Sequence, residues 1–185
     1  MEKISRRDAT TALFLTIATA FVLLTMGRPP ICTCGYVELW HAAVDSGNSQ
    51  HIADWYTPSH IVHGFLFYLA GWWLLRGQRA GVRLCAAVLT EALWEIAENT
   101  PMVIDRYRTA TFALGYSGDS VLNSVADIGF MTLGFLLARR LPTRASIAAC
   151  VALELAALAA IRDNLTLNVL MLLRPIEAIK SWQGG

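Results

Sequence analysis

The chain has 185 residues, 55% of them hydrophobic and only 16% charged, with a mean hydropathy of +0.46, a composition that fits a membrane protein and excludes an ordinary soluble domain. A formal net charge of +1, with no basic block and no nucleic-acid motif, removes nucleic acid from the partners. Four cysteines divided between a loop and apolar runs do not make a disulfide framework.

Lys3, Arg6 and Arg7 precede residues 9–26, a nearly unbroken apolar run that reads as the first transmembrane helix. The competing reading is a cleaved signal peptide, suggested by Ser5-Arg6-Arg7-Asp8 and Ala18-Thr19-Ala20, but the run is longer than most signal cores. Gly27-Arg28-Pro29-Pro30 ends it, and residues 31–58 form a polar, turn-rich loop with Cys32, Cys34, Trp40, His41, Trp55 and Tyr56. Cys32 and Cys34 could pair, yet a ring with one intervening residue is tight, so idle thiols are the simpler reading. The second span is expected over 59–75 and the third over 81–98, ending before Pro101. After a second polar loop over 102–119, the fourth span covers 120–138 and the fifth 145–161, with Glu154 expected to touch a Thr or Ser. Residues 165–173 are too short to cross before Arg174-Pro175, so 165–180 is expected to lie in the interface.

The expected fold is therefore all-α: one polytopic membrane bundle of about five transmembrane helices over residues 1–185, plus a short interfacial C-terminal helix. With the N-terminus cytoplasmic, the inner segments hold nine Lys and Arg (Lys3, Arg6, Arg7, Arg76, Arg79, Arg83, Arg139, Arg140, Arg144) and the outer ones six, which is the orientation the positive-inside rule favours.

Glu91, Glu95 and Glu98 fall within roughly 60° on the third span, an acidic stripe about 10 Å long. Charges at that depth face a protein interior or a wet cavity. His60 and His63, Asp119 and Asn123 come to the same outer level, with Asp127 two turns deeper on the Asn123 face, so one polar chamber is expected in the outer half of the bundle. His60, His63, Asp54 and Glu91 make a candidate shell for zinc, manganese or iron, although His-x-x-His is a weak signature and hydrogen bonding to loop carbonyls is the competing reading. Glu95, Glu98, Asp119 and Asp127 are the candidate catalytic acids, since crowded carboxylates need not all ionise. Arg106 and Arg108 are candidate forks for a phosphate or carboxylate, with pairing to Asp105, Asp119 or Glu98 as the alternative; Asn123 and Tyr116 join them as candidate substrate contacts.

The runs Asn48-Ser49-Gln50-His51-Ile52-Ala53-Asp54-Trp55-Tyr56-Thr57-Pro58-Ser59-His60, Trp94-Glu95-Ile96-Ala97-Glu98-Asn99-Thr100-Pro101, Gly115-Tyr116-Ser117-Gly118-Asp119 and Ile161-Arg162-Asp163-Asn164 resemble a bacterial membrane family catalogued as domain of unknown function 2585. That resemblance implies a multi-pass protein of the bacterial inner membrane and no established activity. A looser likeness to VanZ-like proteins rests on Asp54, His60, Glu95 or Glu98, Arg106, Asp119, Asn123 and Asp127, and implies a role in the cell envelope. Two functions follow as expectations: a metal-assisted hydrolase or transferase acting on envelope lipid head groups, or a non-enzymatic protein that binds a lipid, a membrane-protein partner or its own copy. A proton-coupled transporter comes third, because the inner half offers no polar exit.

Overall fold

The computed structural model describes residues 3–111 and 115–185. Eight helices follow in chain order: α1 (Arg6–Thr25), α2 (Thr57–Leu74), α3 (Ala80–Glu98), α4 (Pro101–Ala110), α5 (Val121–Arg140), α6 (Thr143–Ile161), α7 (Leu165–Leu173) and α8 (Glu177–Gly184). The protein is all-helical, with no strand among the described residues.

Local chemistry sets several of the ends. Ser5 and Asp8 form a capping box that starts α1, the Ser120 hydroxyl accepts the Asn123 N–H to start α5, and the Asn164 side chain accepts the Leu167 N–H to start α7. Pro58 and Pro101 sit in the first turns of α2 and α4, where a missing N–H costs nothing. The loop expected over residues 102–119 is corrected in its first part, where α4 starts from Pro101. Residues 112–114 of that stretch lie outside the described residues.

The core lies between α3 and α5, where Leu84, Ala87, Val88 and Ala92 meet Ile128, Met131 and Phe135. α2 packs along α5 and also touches α3 and α6, while α1 covers the far side of α3 and α5. Three helices, α1, α5 and α6, are long and apolar enough to cross a membrane. α5 is the central one. On the outer two, Leu13, Phe14 and Phe21 of α1 and Ile147, Val151 and Leu155 of α6 stay exposed, the surface expected of helices facing acyl chains. α2 and α3 match them in length but carry His60, His63, Glu91, Glu95 and Glu98, and those polar groups are what separate them from the apolar three.

The expected C-terminal segment is two short helices, α7 and α8, broken at Pro175. Glu154 of α6 meets the start of α7: its carboxylate accepts from the Leu165 and Thr166 N–H groups and from the Thr166 hydroxyl at 2.6 Å, so the expected threonine partner is present. The reading of Cys32 and Cys34 as idle thiols is corrected, since the two are joined in a disulfide across Cα atoms 5.1 Å apart. A turn closed by the Gly35 N–H on the Cys32 carbonyl, with Gly35 at φ 87°, brings them together.

Candidate functional site

One helical turn separates His60 and His63 on α2, and Glu91 of α3 reaches between their rings. Its Oε1 lies 2.7 Å from His60 Nδ1, and its two oxygens lie 3.1 and 3.0 Å from His63 Nδ1. An ionised carboxylate can only accept, so both rings donate Nδ1–H to the same group, and neither Nε2 is engaged by Glu91. For His60 that direction is occupied by Asp127 of α5, whose Oδ2 is 3.6 Å from Nε2. Glu95 Oε1 stands 3.7 Å from Nδ1 of the same ring.

Behind the histidines the polar accounting does not close. Both oxygens of Glu95 and Oδ1 of Asp127 are buried without a hydrogen-bond partner, as is the hydroxyl of Ser124 one turn away on α5. Glu95 is 0% exposed. An unpaired buried carboxylate costs several kcal/mol, so these oxygens require protons or a cation. Three overlapping sets, His60–His63–Glu91, His60–Glu95–Asp127 and Glu95–Glu98–Asp119, each have their ligand atoms within 4.8 Å of one another. In the middle set an imidazole nitrogen and two unpartnered carboxylates converge, a donor set suited to zinc, manganese or iron. Glu91 accepts from the Nδ1 atoms of both histidines and orients them, and with His60 and His63 it also forms one of the three sets, so the structure brings together these three residues of the expected metal shell.

His60 and His63 bring this cluster to the wall of a cavity of about 490 Å³, with Glu91, Glu95 and Asp127 behind them. His60, His63, Glu98, Asp119 and Tyr116 line its polar side, residues 44–46 and 48–50 its roof, and Phe67, Leu93, Trp94 and Val169 its apolar side. Asp119 is held rigidly: Tyr116 donates to Oδ1 at 2.8 Å, Asn99 Nδ2 donates to Oδ2 at 2.7 Å, and the Asn99 Oδ1 accepts the Asp119 N–H at 2.7 Å. Burial, together with the neighbouring Asp119, raises the Tyr116 phenol well above its usual range and keeps it a donor. Asn99 was missed in the sequence, although it stands four residues after Glu95 on the same helical face and its amide also bonds the Glu95 carbonyl.

Other expected site residues have structural partners instead. Asp54 accepts the Ser49 N–H at 2.6 Å and the Tyr56 N–H at 2.7 Å, fixing Ser49 in a left-handed conformation (φ 61°) ahead of α2. Burial raises its pKa against the pull of those two bonds, and it belongs to none of the metal-competent sets among the described residues. The Asn123 amide bonds the His51 carbonyl and ties the roof loop to α5. Arg106 donates to the Leu172 and Leu173 carbonyls at the end of α7, and Arg108 donates to the Tyr116 carbonyl at 2.6 Å while lying 3.8 Å from Asp105. Neither arginine lines the cavity.

A helical protein with three helices long and apolar enough to cross a membrane, organised around a buried histidine–carboxylate cluster beside a cavity, is thus the class that fold and site define. The family model described as "Protein of unknown function (DUF2585)" matches residues 23–185, and the chain belongs to that family. It is 62% identical over 161 residues to a UPF0314 protein of Sinorhizobium fredii, covering 86% of this chain and 82% of that one. It is 55% identical over 174 residues to a UPF0314 protein of Rhizobium etli (94% and 89% covered) and 55% identical over 183 residues to one of Sphingopyxis alaskensis (98% and 97%). No solved structure matches.

Proposed function

We propose that this is a multi-pass protein of the bacterial inner membrane that binds the head group of an envelope lipid in its cavity and acts on it as a metal-assisted hydrolase or transferase. In this reading α2 and α3 cross the bilayer beside α1, α5 and α6, with their polar residues turned inward and the N-terminus cytoplasmic. The observation that carries it is the convergence on the His60 ring of Glu95, near Nδ1, and Asp127, near Nε2, with both Glu95 oxygens and Asp127 Oδ1 lacking hydrogen-bond partners behind a cavity wall. A divalent cation there would satisfy those oxygens and supply a Lewis acid for a phosphoryl or ester oxygen. Glu91 fixes the two imidazoles, His63 brings its second nitrogen to the cavity side, and Glu98, at the cavity wall, is placed to move a proton.

The test is elemental analysis of detergent-purified protein alongside Glu95→Gln, Asp127→Asn and His60→Ala variants matched for folding. About one zinc, manganese or iron per chain, lost in the variants, supports the reading and justifies screening lipid substrates for turnover. Metal-free protein, even after incubation with divalent ions, overturns it and leaves a non-enzymatic lipid-binding or partner-binding protein whose acids join helices.

A further inference from the structure

The charge of the cavity lining restricts what can enter. Asp45, Glu98 and Asp119 line it together with His60 and His63, and no Lys or Arg does so among the described residues. The basic residues nearest in sequence are engaged elsewhere: Arg106 and Arg108 on backbone carbonyls, and Arg28 through its Nη1 on the Ser117 carbonyl. Glu95, fully buried and with neither oxygen hydrogen-bonded, has a carboxylate oxygen within 4.8 Å of those of Glu98 and Asp119, so the acidic end of the cavity is a group of carboxylates that calls for protons or a cation. Around it stand aromatic rings. Tyr107 and Tyr116 meet edge to face at 5.3 Å and both line the cavity, as does Trp94. Carboxylates beside aromatic faces, without a lysine or arginine, are the surroundings that favour an organic ammonium over a bare phosphate.

The apolar side of the same cavity leads outward. Leu93 of α3 is 58% exposed and Val169 of α7 is 43% exposed, so the lining continues onto the surface that faces acyl chains in the proposed orientation. We infer that the ligand is an amphiphile whose head group carries an ammonium, seated between Glu98, Asp119 and the Tyr107–Tyr116 pair with its chain leaving past Leu93 and Val169. This rests on the reading of the cavity as a head-group site and is independent of whether a metal sits behind it.

Native mass spectrometry of the full chain released from dodecyl maltoside micelles tests it with four probes: dodecyltrimethylammonium, dodecylphosphocholine, dodecyl phosphate and tetramethylammonium. The two ammonium amphiphiles are expected to bind at least about ten-fold more tightly than dodecyl phosphate, and Glu98→Gln or Asp119→Asn to weaken them by about ten-fold. Equal or tighter binding of dodecyl phosphate overturns the proposal in the wild-type protein alone, whatever the variants do. Binding of tetramethylammonium as tight as that of the dodecyl compound overturns the amphiphile, and full ammonium binding in both folded variants overturns the location. Repeating the series after dialysis against chelator separates the two readings, since ammonium preference in metal-free protein stands even where the metal reading fails.

Discussion

Gly64 of α2 and Gly134 of α5 face each other where the two backbones touch: a Cβ placed on Gly64 would lie 2.7 Å from the Gly134 carbonyl carbon and 2.1 Å from the Met131 carbonyl oxygen. Such a crossing of small residues lets two helices approach without side chains between them. One turn away from Gly64, it is also what brings His60 to Asp127. Gly64→Ala is therefore expected to destabilise the protein by about 2–4 kcal/mol and to lower bound metal, whereas Gly129→Ala, in α5 with nothing within 4 Å of its added carbon, is expected to be neutral or to add about 0.5–1 kcal/mol. Thermal unfolding in detergent compares the two, and equal melting temperatures would contradict the crossing.

Arg106 serves α7. With its guanidinium on the Leu172 and Leu173 carbonyls, Arg106→Ala is expected to cost about 1–2 kcal/mol in stability and to leave metal content and amphiphile binding unchanged. A loss of binding at unchanged stability would return Arg106 to the role of head-group contact suggested by its sequence.

The roof of the cavity hangs on His41, whose Nδ1 bonds Glu38 at 2.6 Å and whose Nε2 bonds Asp45 at 2.9 Å. Burial works against the charged ring, yet the bonds to Glu38 and Asp45 outweigh it and raise the His41 pKa above its usual 6.5. A proton held more tightly in the folded state stabilises it, so this contribution is complete below pH 6.5 and is lost as pH rises through the raised value. Hydrogen exchange across residues 38–50, corrected for intrinsic rate, is expected to show less protection at pH 8.5 than at pH 6, with the difference removed in His41→Gln. Equal protection in the wild type at both values would contradict it.

Asp163, between α6 and α7, is buried and has its pKa raised to about 6, chiefly by burial and against the hydrogen bonds from the Asn164 N–H and the Gln183 amide. The folded state therefore favours the protonated form, a preference complete below the ordinary 3.8 and lost as pH rises through 6. Asp163→Asn, which keeps the accepting oxygen, is expected to gain on the order of 1–3 kcal/mol at pH 8 and nothing below about pH 4. Unfolding midpoints at the two pH values check this.

Much of the site was legible because helical geometry is local. The 100° step alone places Glu91, Glu95 and Glu98 in one stripe and His60 beside His63, and the same step would have added Asn99 had it been followed one turn further. The interruption of α2 and α3 by those polar residues, read in the sequence as an inward-facing chamber, corresponds to buried side chains in the structure. The expected pairing with Asp105 is present for Arg108 at 3.8 Å, but the place of Arg106 was not legible, because its guanidinium takes the carbonyls of Leu172 and Leu173, which lie 66 and 67 residues away in the chain.

Sequence by itself thus determined the five long helices and the faces on which the acids and histidines stand, since these depend on neighbours within a turn or two, while α4 was read as loop. Only the tertiary structure decided that Glu91 is shared by two imidazoles, that Asp54 is consumed by backbone N–H groups, and that both Glu95 oxygens and Asp127 Oδ1 are left without hydrogen-bond partners. Which polar atoms find each other across helices is set by how closely the backbones approach, and here the Gly64–Gly134 crossing fixes that distance.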